Sequence, residues 1–401
     1  MLTSSGQAAN FFAVFNIAGC GDHVVASSAI YGGTFNLFAV TMKRMGIDFT
    51  FVGPDCSDAE LEAAFRPNTK AVFGETIANP ALTVLDIERF AKAAHAHGLP
   101  LIVDNTFPTP INCRPFDFGA DIVTHSTTKY MDGHAVALGG VIVDSGNFNW
   151  DNGKFPMLTT PDESYHGVTY TKQFGKAAYI TKCRTHLMRD IGAQAAPMNA
   201  FLLNLGLETL ALRMERHCAN ALAVAKYLEA DPRVAWVDYP DLESSPQHAL
   251  AKKYMPHGTC GVVSFGVKGG REAATKFMDS LELASVVTHV ADLRTCCLHP
   301  ASTTHRQMTD EQLNGGRRGP RPHPPLRGHR EHRRHPGRPG PGPRQGHEVT
   351  AIQKTSPGAN SGGLFLRAVV QVYATRGFSF PWVRLSILSM YLMAFPAPST
   401  T

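Results

Sequence analysis

Across residues 10–143 short apolar, β-branched runs alternate with amphipathic helical stretches, and this alternation constrains the chain more than any other feature. Strands joined by helical crossovers pair in parallel, so the pattern predicts an α/β domain with a mostly parallel sheet covered by helices on both faces. Strands are predicted at 23–26, 47–52, 71–75, 99–104, 121–125 and 138–143. Ser57 and Glu60 stand at capping-box spacing, and a helix over 86–97 ends at Gly98, a suitable residue for a left-handed exit. Another helical run starts at Ala8, behind Ser4-Ser5-Gly6-Gln7.

With 401 residues and 43% hydrophobic content, the chain can build two domains with separate cores. A large domain is predicted over 1–205, with a polar, aromatic-rich segment at 144–189. Amphipathic helices over 198–228 lead into a smaller domain over 206–313, with a strand at 261–267 and a helix at 272–281. After Leu313 the character changes abruptly. The net charge of +5 owes much to one block of Arg and His at 317–344, and the remainder is close to balanced.

The eight cysteines form no CxxC pair, which argues against a zinc site or a disulfide framework and for reduced thiols in the cytoplasm. No basic stretch followed by an apolar run opens the sequence, so no secretory signal is read. The apolar run at 380–395 is broken by Pro381 and Arg384 and falls short of a membrane span.

The chemistry gathers at strand ends. Leu99-Pro100-Leu101-Ile102-Val103-Asp104 places a carboxylate at the carboxyl edge of the sheet, where open α/β folds bind ligands. Standing alone, Asp104 reads equally well as a cap of the following loop. Asp121-Ile122-Val123-Thr124-His125 runs into Ser126-Thr127-Thr128-Lys129-Tyr130. A lysine there can carry pyridoxal 5′-phosphate (PLP) as a Schiff base, while Ser126 and Thr128 hydrogen-bond the phosphate. Partial desolvation lowers its pKa and frees the nucleophilic amine. Taken singly, such a lysine is usually a solvated charge. Ser4-Ser5-Gly6-Gln7 presents free N–H groups and a positive dipole end to an anion, with Gly6 allowing close approach. Tyr31, just before Gly32-Gly33-Thr34, can stack on an aromatic ring. An amine, a carboxylate for the pyridine nitrogen, a phosphate cradle and a stacking ring are what PLP requires, and each has a candidate.

These motifs, with Glu75-Thr76-Ile77-Ala78-Asn79-Pro80, Val103-Asp104-Asn105-Thr106-Phe107 and Leu298-His299-Pro300-Ala301-Ser302-Thr303-Thr304-His305, resemble the Cys/Met metabolism family of PLP enzymes. That family has the aspartate-aminotransferase type of fold, known as fold type I. The resemblance covers 2–313 and implies that Lys129 forms the Schiff base, Asp104 pairs with the ring nitrogen and Tyr31 stacks on the ring. It further implies that Gly6 and Gln7 amides with Ser126 and Thr128 hold the phosphate, that Asn79 approaches the ring hydroxyl, and that Lys129 and Tyr31 are catalytic. The long 144–189 segment is similar to the sulfhydrylase branch. Gly33 stands where methionine γ-lyases tend to carry Cys, which argues against that branch.

The implied reaction is γ-replacement, in which O-acetyl-L-homoserine exchanges acetate for sulfide or methanethiol to give homocysteine or methionine. Lys129 would shuttle the protons, with Tyr31 assisting. Cystathionine γ-synthase and methionine γ-lyase are alternatives within the family, and the thiol acceptor and the acyl group stay open. Implied partners are the amino-acid substrate, the thiol and further copies of the chain in a homotetramer, with no metal, membrane or nucleic acid. His299 and His305 are accordingly read as packing or hydrogen-bonding residues.

Two departures from the family pattern are expected to matter. The N-terminal arm that precedes Ser-Ser-Gly-Gln in family members is not seen here. After Leu313 the closing part of the small domain, with the arginine that grips the substrate carboxylate, is replaced by Arg317-Arg318-Gly319-Pro320-Arg321-Pro322-His323-Pro324-Pro325 and similar sequence. A basic nucleic-acid-binding tail is a competing explanation, weakened because the block at 317–344 has no Phe, Tyr or Trp. Codons exist for Arg321 to Pro339 that, read one nucleotide later, spell DLIRLSVGIENIDDILADL, a peptide similar to the family's ending. Residues 314–401 are therefore expected to be out-of-frame translation, a disordered tail without an evolved fold, giving an impaired enzyme or an inactive product. Arg294 and Arg306 are the remaining candidates for a substitute carboxylate anchor.

Overall fold

The computed structural model describes residues 1–298 and the strand at 367–371. The larger sheet has seven strands: β1 (Leu2–Thr3), β2 (His23–Ser27), β3 (Asp48–Val52), β4 (Thr69–Glu75), β5 (Leu101–Asp104), β6 (Ile122–Ser126) and β7 (Gly140–Asp144). Their spatial order is β1-β7-β6-β5-β4-β2-β3. Strands β2 to β6 run parallel, β7 is antiparallel to β6, and β1 is antiparallel to β7. All six predicted strands are present, with ends displaced by a residue or two. Pro100 has no N–H to give to a ladder, so β5 begins at Leu101. Leu138 and Gly139 fall outside β7 because their backbone serves side chains, Leu138 O accepting from Asn199 Nδ2 and Gly139 N–H donating to Thr128 Oγ1.

Helices α1 (Gly6–Phe15), α2 (Gly32–Asn36), α3 (Asp58–Ala63) and α4 (Ile87–Ala96) belong to the same domain. Helix α1 starts two residues earlier than predicted because Ser5 caps it, its hydroxyl accepting from the Ala8 N–H. The capping box at Ser57 and Glu60 forms in both directions, and Asp86 caps α4. Every residue of β2 and β5 is buried, as expected for parallel strands covered on both faces. On α1, Phe12, Ala13 and Val14 have no exposed surface, and the helix packs against β6 and β7. These apolar contacts fix its N-terminus beside the carboxyl ends of the central strands.

Helices α5 (Pro197–Glu208) and α6 (Leu210–Ala230) lead to a second sheet of β8 (Val234–Asp238), β9 (Val262–Val267), β10 (Ser285–Val286), β11 (Cys296–Leu298) and β12 (Arg367–Gln371), ordered β10-β11-β12-β9-β8. Helix α7 (Gly270–Asp279) follows β9, near its predicted position. Strand β12 corrects one expectation. It lies within 314–401, yet pairs antiparallel with both β9 and β11. Ladder hydrogen bonds are made by backbone, and Arg367-Ala368-Val369-Val370-Gln371 carries two adjacent valines of high β-propensity, so this segment can fill the slot whatever its origin. The rest of 314–401, with His299, His305, Arg306 and the apolar run at 380–395, lies outside the described residues.

All eight cysteines are free and six are buried. Among the described residues no helix is long and apolar enough to cross a membrane, and no cluster of His, Cys, Asp and Glu could hold a metal.

Candidate active site

The site forms where β4, β5 and β6 end. In the parallel registers Glu75 pairs with Asp104, and Asp104 with Thr124, so the end of β5 lies between its two neighbours. The Asp104 carboxylate is buried and fully oriented. Its Oδ2 accepts from Asn10 Nδ2 at 3.0 Å, and its Oδ1 accepts from the Thr106 N–H at 3.0 Å and the Thr106 hydroxyl at 2.5 Å. Burial raises its pKa, and these donors from Asn10 and Thr106 oppose that rise. Oδ1 is filled by its two donors, whereas Oδ2 keeps a lone pair for one further donor, such as a protonated ring nitrogen.

Lys129 follows β6 in a tight turn, its N–H donating to Ser126 O at 3.3 Å. Thr106 Oγ1 in turn accepts from the Ser126 N–H at 2.8 Å, so the turn bearing the amine is tied through one hydroxyl to the carboxylate of β5. Burial lowers the Lys129 pKa, opposed by the negative charge of Asp292. Asp292 lies on a small-domain segment anchored to the Lys129 turn: Leu293 N–H donates to Gly133 O at 2.8 Å, and Gly133 N–H donates to Lys129 O at 2.8 Å.

The phosphate cradle is built by close packing. Gly6 and Gln7 are the first residues of α1, where N–H groups have no intrahelical acceptor. A Cβ on Gly6 would lie 2.5 Å from Ser126 Cβ, so only glycine lets the start of α1 meet the end of β6. Gln7 Nε2 donates to Gly33 O at 2.7 Å, fixing α2 against α1. Gly6→Ala is expected to push these elements apart and weaken PLP binding about tenfold, read by absorbance titration, with retained affinity counting against the cradle.

Tyr31 immediately precedes α2 and is half exposed. A Cβ on Gly33 would lie 2.5 Å from Tyr31 Cε1, so a side chain at 33 forces the ring to move. Asn79 follows β4, with its backbone N–H directed to the Glu75 carboxyl. Thr128 has hydrogen-bond partners within the chain. Its hydroxyl donates to Gly139 O at 3.2 Å and accepts from the Gly139 N–H, so its single proton is committed to the loop rather than to an anion. Arg294 is exposed, and one nitrogen of its guanidinium, Nη1, meets Asp292 Oδ2 at 3.4 Å and His134 O at 3.3 Å.

Sequence reading missed Asn10, Thr106 and Asp292. Asn10 joins Asp104, Thr34 and Thr124 through its side chain. A lone polar residue in the apolar run from Ala8 to Val14 was the available signal. Asp292 gave none, because its relation to Lys129 depends on how the small domain meets the sheet.

The residues present suit PLP: a buried carboxylate with one oxygen still able to accept, a desolvated amine in the turn after the adjoining strand, and a helix start that a Cβ would obstruct. Fold and site together define a PLP-dependent enzyme of fold type I. A profile of the Cys/Met metabolism PLP-dependent enzymes matches residues 1–316, and the chain belongs to that family. It is 51% identical over 318 residues to a homocysteine synthase of Schizosaccharomyces pombe, covering 78% of this chain and 74% of that protein. It is 46% identical over 327 residues to an O-acetyl-L-homoserine sulfhydrylase of Leptospira meyeri, covering 79% and 74%. Among solved structures it is similar to an O-acetylhomoserine (thiol)-lyase of Campylobacter jejuni bearing N′-pyridoxyl-lysine-5′-monophosphate, with TM-score 0.75, 38% identity and coverage of 78% and 75%.

Proposed function

We propose that the chain is built to catalyse γ-replacement on O-acetyl-L-homoserine, with sulfide or methanethiol as acceptor and acetate as leaving group. The observation that carries this reading is the buried Asp104 carboxylate linked through Thr106 to the turn bearing Lys129, in a chain whose similar proteins are a homocysteine synthase and O-acetylhomoserine sulfhydrylases. When bound, PLP supplies an electron sink for negative charge at the substrate α-carbon. Asp104, oriented by Asn10 and Thr106, holds the ring nitrogen in its protonated form. Lys129, its pKa lowered by burial, provides the neutral amine that takes the α-proton and returns it at the neighbouring carbon. Tyr31 would cover the ring and assist proton transfer, Asn79 would approach the ring hydroxyl, and the α1 amides with Ser126 would hold the phosphate. Thr128 can join them only by giving up Gly139 O.

Purified protein loaded with PLP, supplied with O-acetyl-L-homoserine and sulfide or methanethiol, is expected to release acetate and form homocysteine or methionine. No acetate release, even from a chain restored as described in the Discussion, would sink this assignment.

The assembly is a homo-oligomer in the same reading. On α5, Met198, Phe201 and Leu205 are exposed on one face, with Val136 and Leu138 nearby, an apolar surface suited to a second copy. The free cysteines suit a cytoplasmic location.

A second reading concerns 314–401. The family match ends at 316, close to where the sequence character changes, which supports out-of-frame translation of the remainder and an impaired or inactive product. The domain division proposed is 1–205, 206–313 and 314–401, with β12 of the last segment joining the small-domain sheet.

A further inference from the structure

A second buried carboxyl group stands beside Asp104. Glu75 closes β4, is almost wholly buried, and pairs in register with Asp104 on β5. Residues paired across parallel strands point to the same face, so the two carboxyl groups share one side of the sheet. Glu75 Oε2 accepts from the Tyr31 N–H at 2.5 Å, and its carboxyl also receives the Asn79 N–H. Tyr31 begins the turn into α2, a helix too short to hold itself in place.

We propose that Glu75 is the positioning residue for Tyr31, tying the backbone of the Tyr31 turn and the Asn79 loop to the end of β4 beside Asp104. The inference rests on the PLP site proposed above and adds to it: the stacking ring and the ring-nitrogen carboxylate are set by one ledge formed by adjacent strands. Two groups face Glu75 as donors, the Tyr31 amide from the turn before α2 and the Asn79 amide from the loop after β4, and one charged group faces it, Asp104 from β5. Burial and the Asp104 charge push the Glu75 pKa well above its ordinary value, against the pull of these amides. A neutral acid still accepts both N–H groups and adds no second charge beside Asp104.

The test compares unsubstituted protein, Glu75→Gln and Glu75→Ala by amide exchange at Tyr31 without PLP and by PLP affinity from absorbance titration. Glu75→Gln keeps an acceptor oxygen without charge, and is expected to preserve Tyr31 protection and to hold PLP affinity within about threefold. Glu75→Ala is expected to speed Tyr31 exchange and weaken PLP binding, each by about tenfold or more, while protection along β5 stays unchanged. Unchanged Tyr31 exchange in Glu75→Ala overturns the proposal, as does an equal loss of protection along β5, which would mark a general structural role. A glutamine variant as impaired as alanine overturns the neutral-acid part. If the unsubstituted chain binds no PLP, the coenzyme reading fails, and the exchange data still decide the tie between Glu75 and Tyr31.

Discussion

Lys129→Ala is expected to abolish the visible absorbance of PLP-loaded protein and to lower turnover by about 10³-fold or more. The size follows from two duties meeting in one side chain: covalent attachment of the coenzyme and movement of the substrate α-proton. Burial lowers the pKa of this amine and Asp292 opposes the shift, so in the folded protein the neutral form reaches lower pH than in a free lysine. Raising pH through the lowered pKa removes the proton and supplies the nucleophile; lowering pH below it protonates the amine and stops attachment. The fold should survive the substitution, since the ties that shape the turn are backbone bonds from Ser126 to Lys129 and from Lys129 to Gly133. Thermal unfolding close to that of the unsubstituted protein would separate lost chemistry from lost structure. A retained visible band, or turnover within tenfold, would remove Lys129 from its assigned role.

Restoring the alternative reading frame after residue 313 is expected to raise kcat/KM for O-acetyl-L-homoserine on the order of 10²-fold or more. In the restored peptide DLIRLSVGIENIDDILADL an arginine returns where Pro324 and Pro325 now stand, and its planar fork can hold a carboxylate through two parallel hydrogen bonds. Such an anchor orients the substrate and so acts on turnover as well as binding. Arg294 is not an equivalent substitute, because its Nη1 is shared with Asp292 and His134 O and its side chain is exposed. Sequencing the gene comes first: if no frame encodes such a peptide, the out-of-frame explanation is wrong. Equal turnover by the original and restored chains would show that no anchor was lost.

The parallel sheet was legible because its strands are short apolar runs with helical connections, and period and burial agree there. Lys129 and Asp104 stand out in the sequence for a related reason, each being a polar residue at or just past the end of an apolar strand. For Thr128, sequence does not tell which acceptor receives its one hydroxyl proton, which here is Gly139 O. Asn10 and Glu75 were overlooked as site residues because each meets Asp104 only through the packing of α1 or the β4–β5 register. Asp292 lies further out of reach, since it depends on contact between two domains. Strand β12 had no place in the sequence reading, where the tail was judged by composition while a backbone ladder asks only for an extended segment.

The insertion of β12 between β9 and β11 carries a practical warning for anyone shortening this chain. Cutting at residue 313 would leave two rows of unmatched amides and carbonyls facing one another across roughly 10 Å, a berth one strand wide. Such a trimmed protein is expected to recruit extended peptide from its neighbours and to precipitate at concentrations where the uncut chain stays dissolved, so trimming trades a basic extension for stickiness.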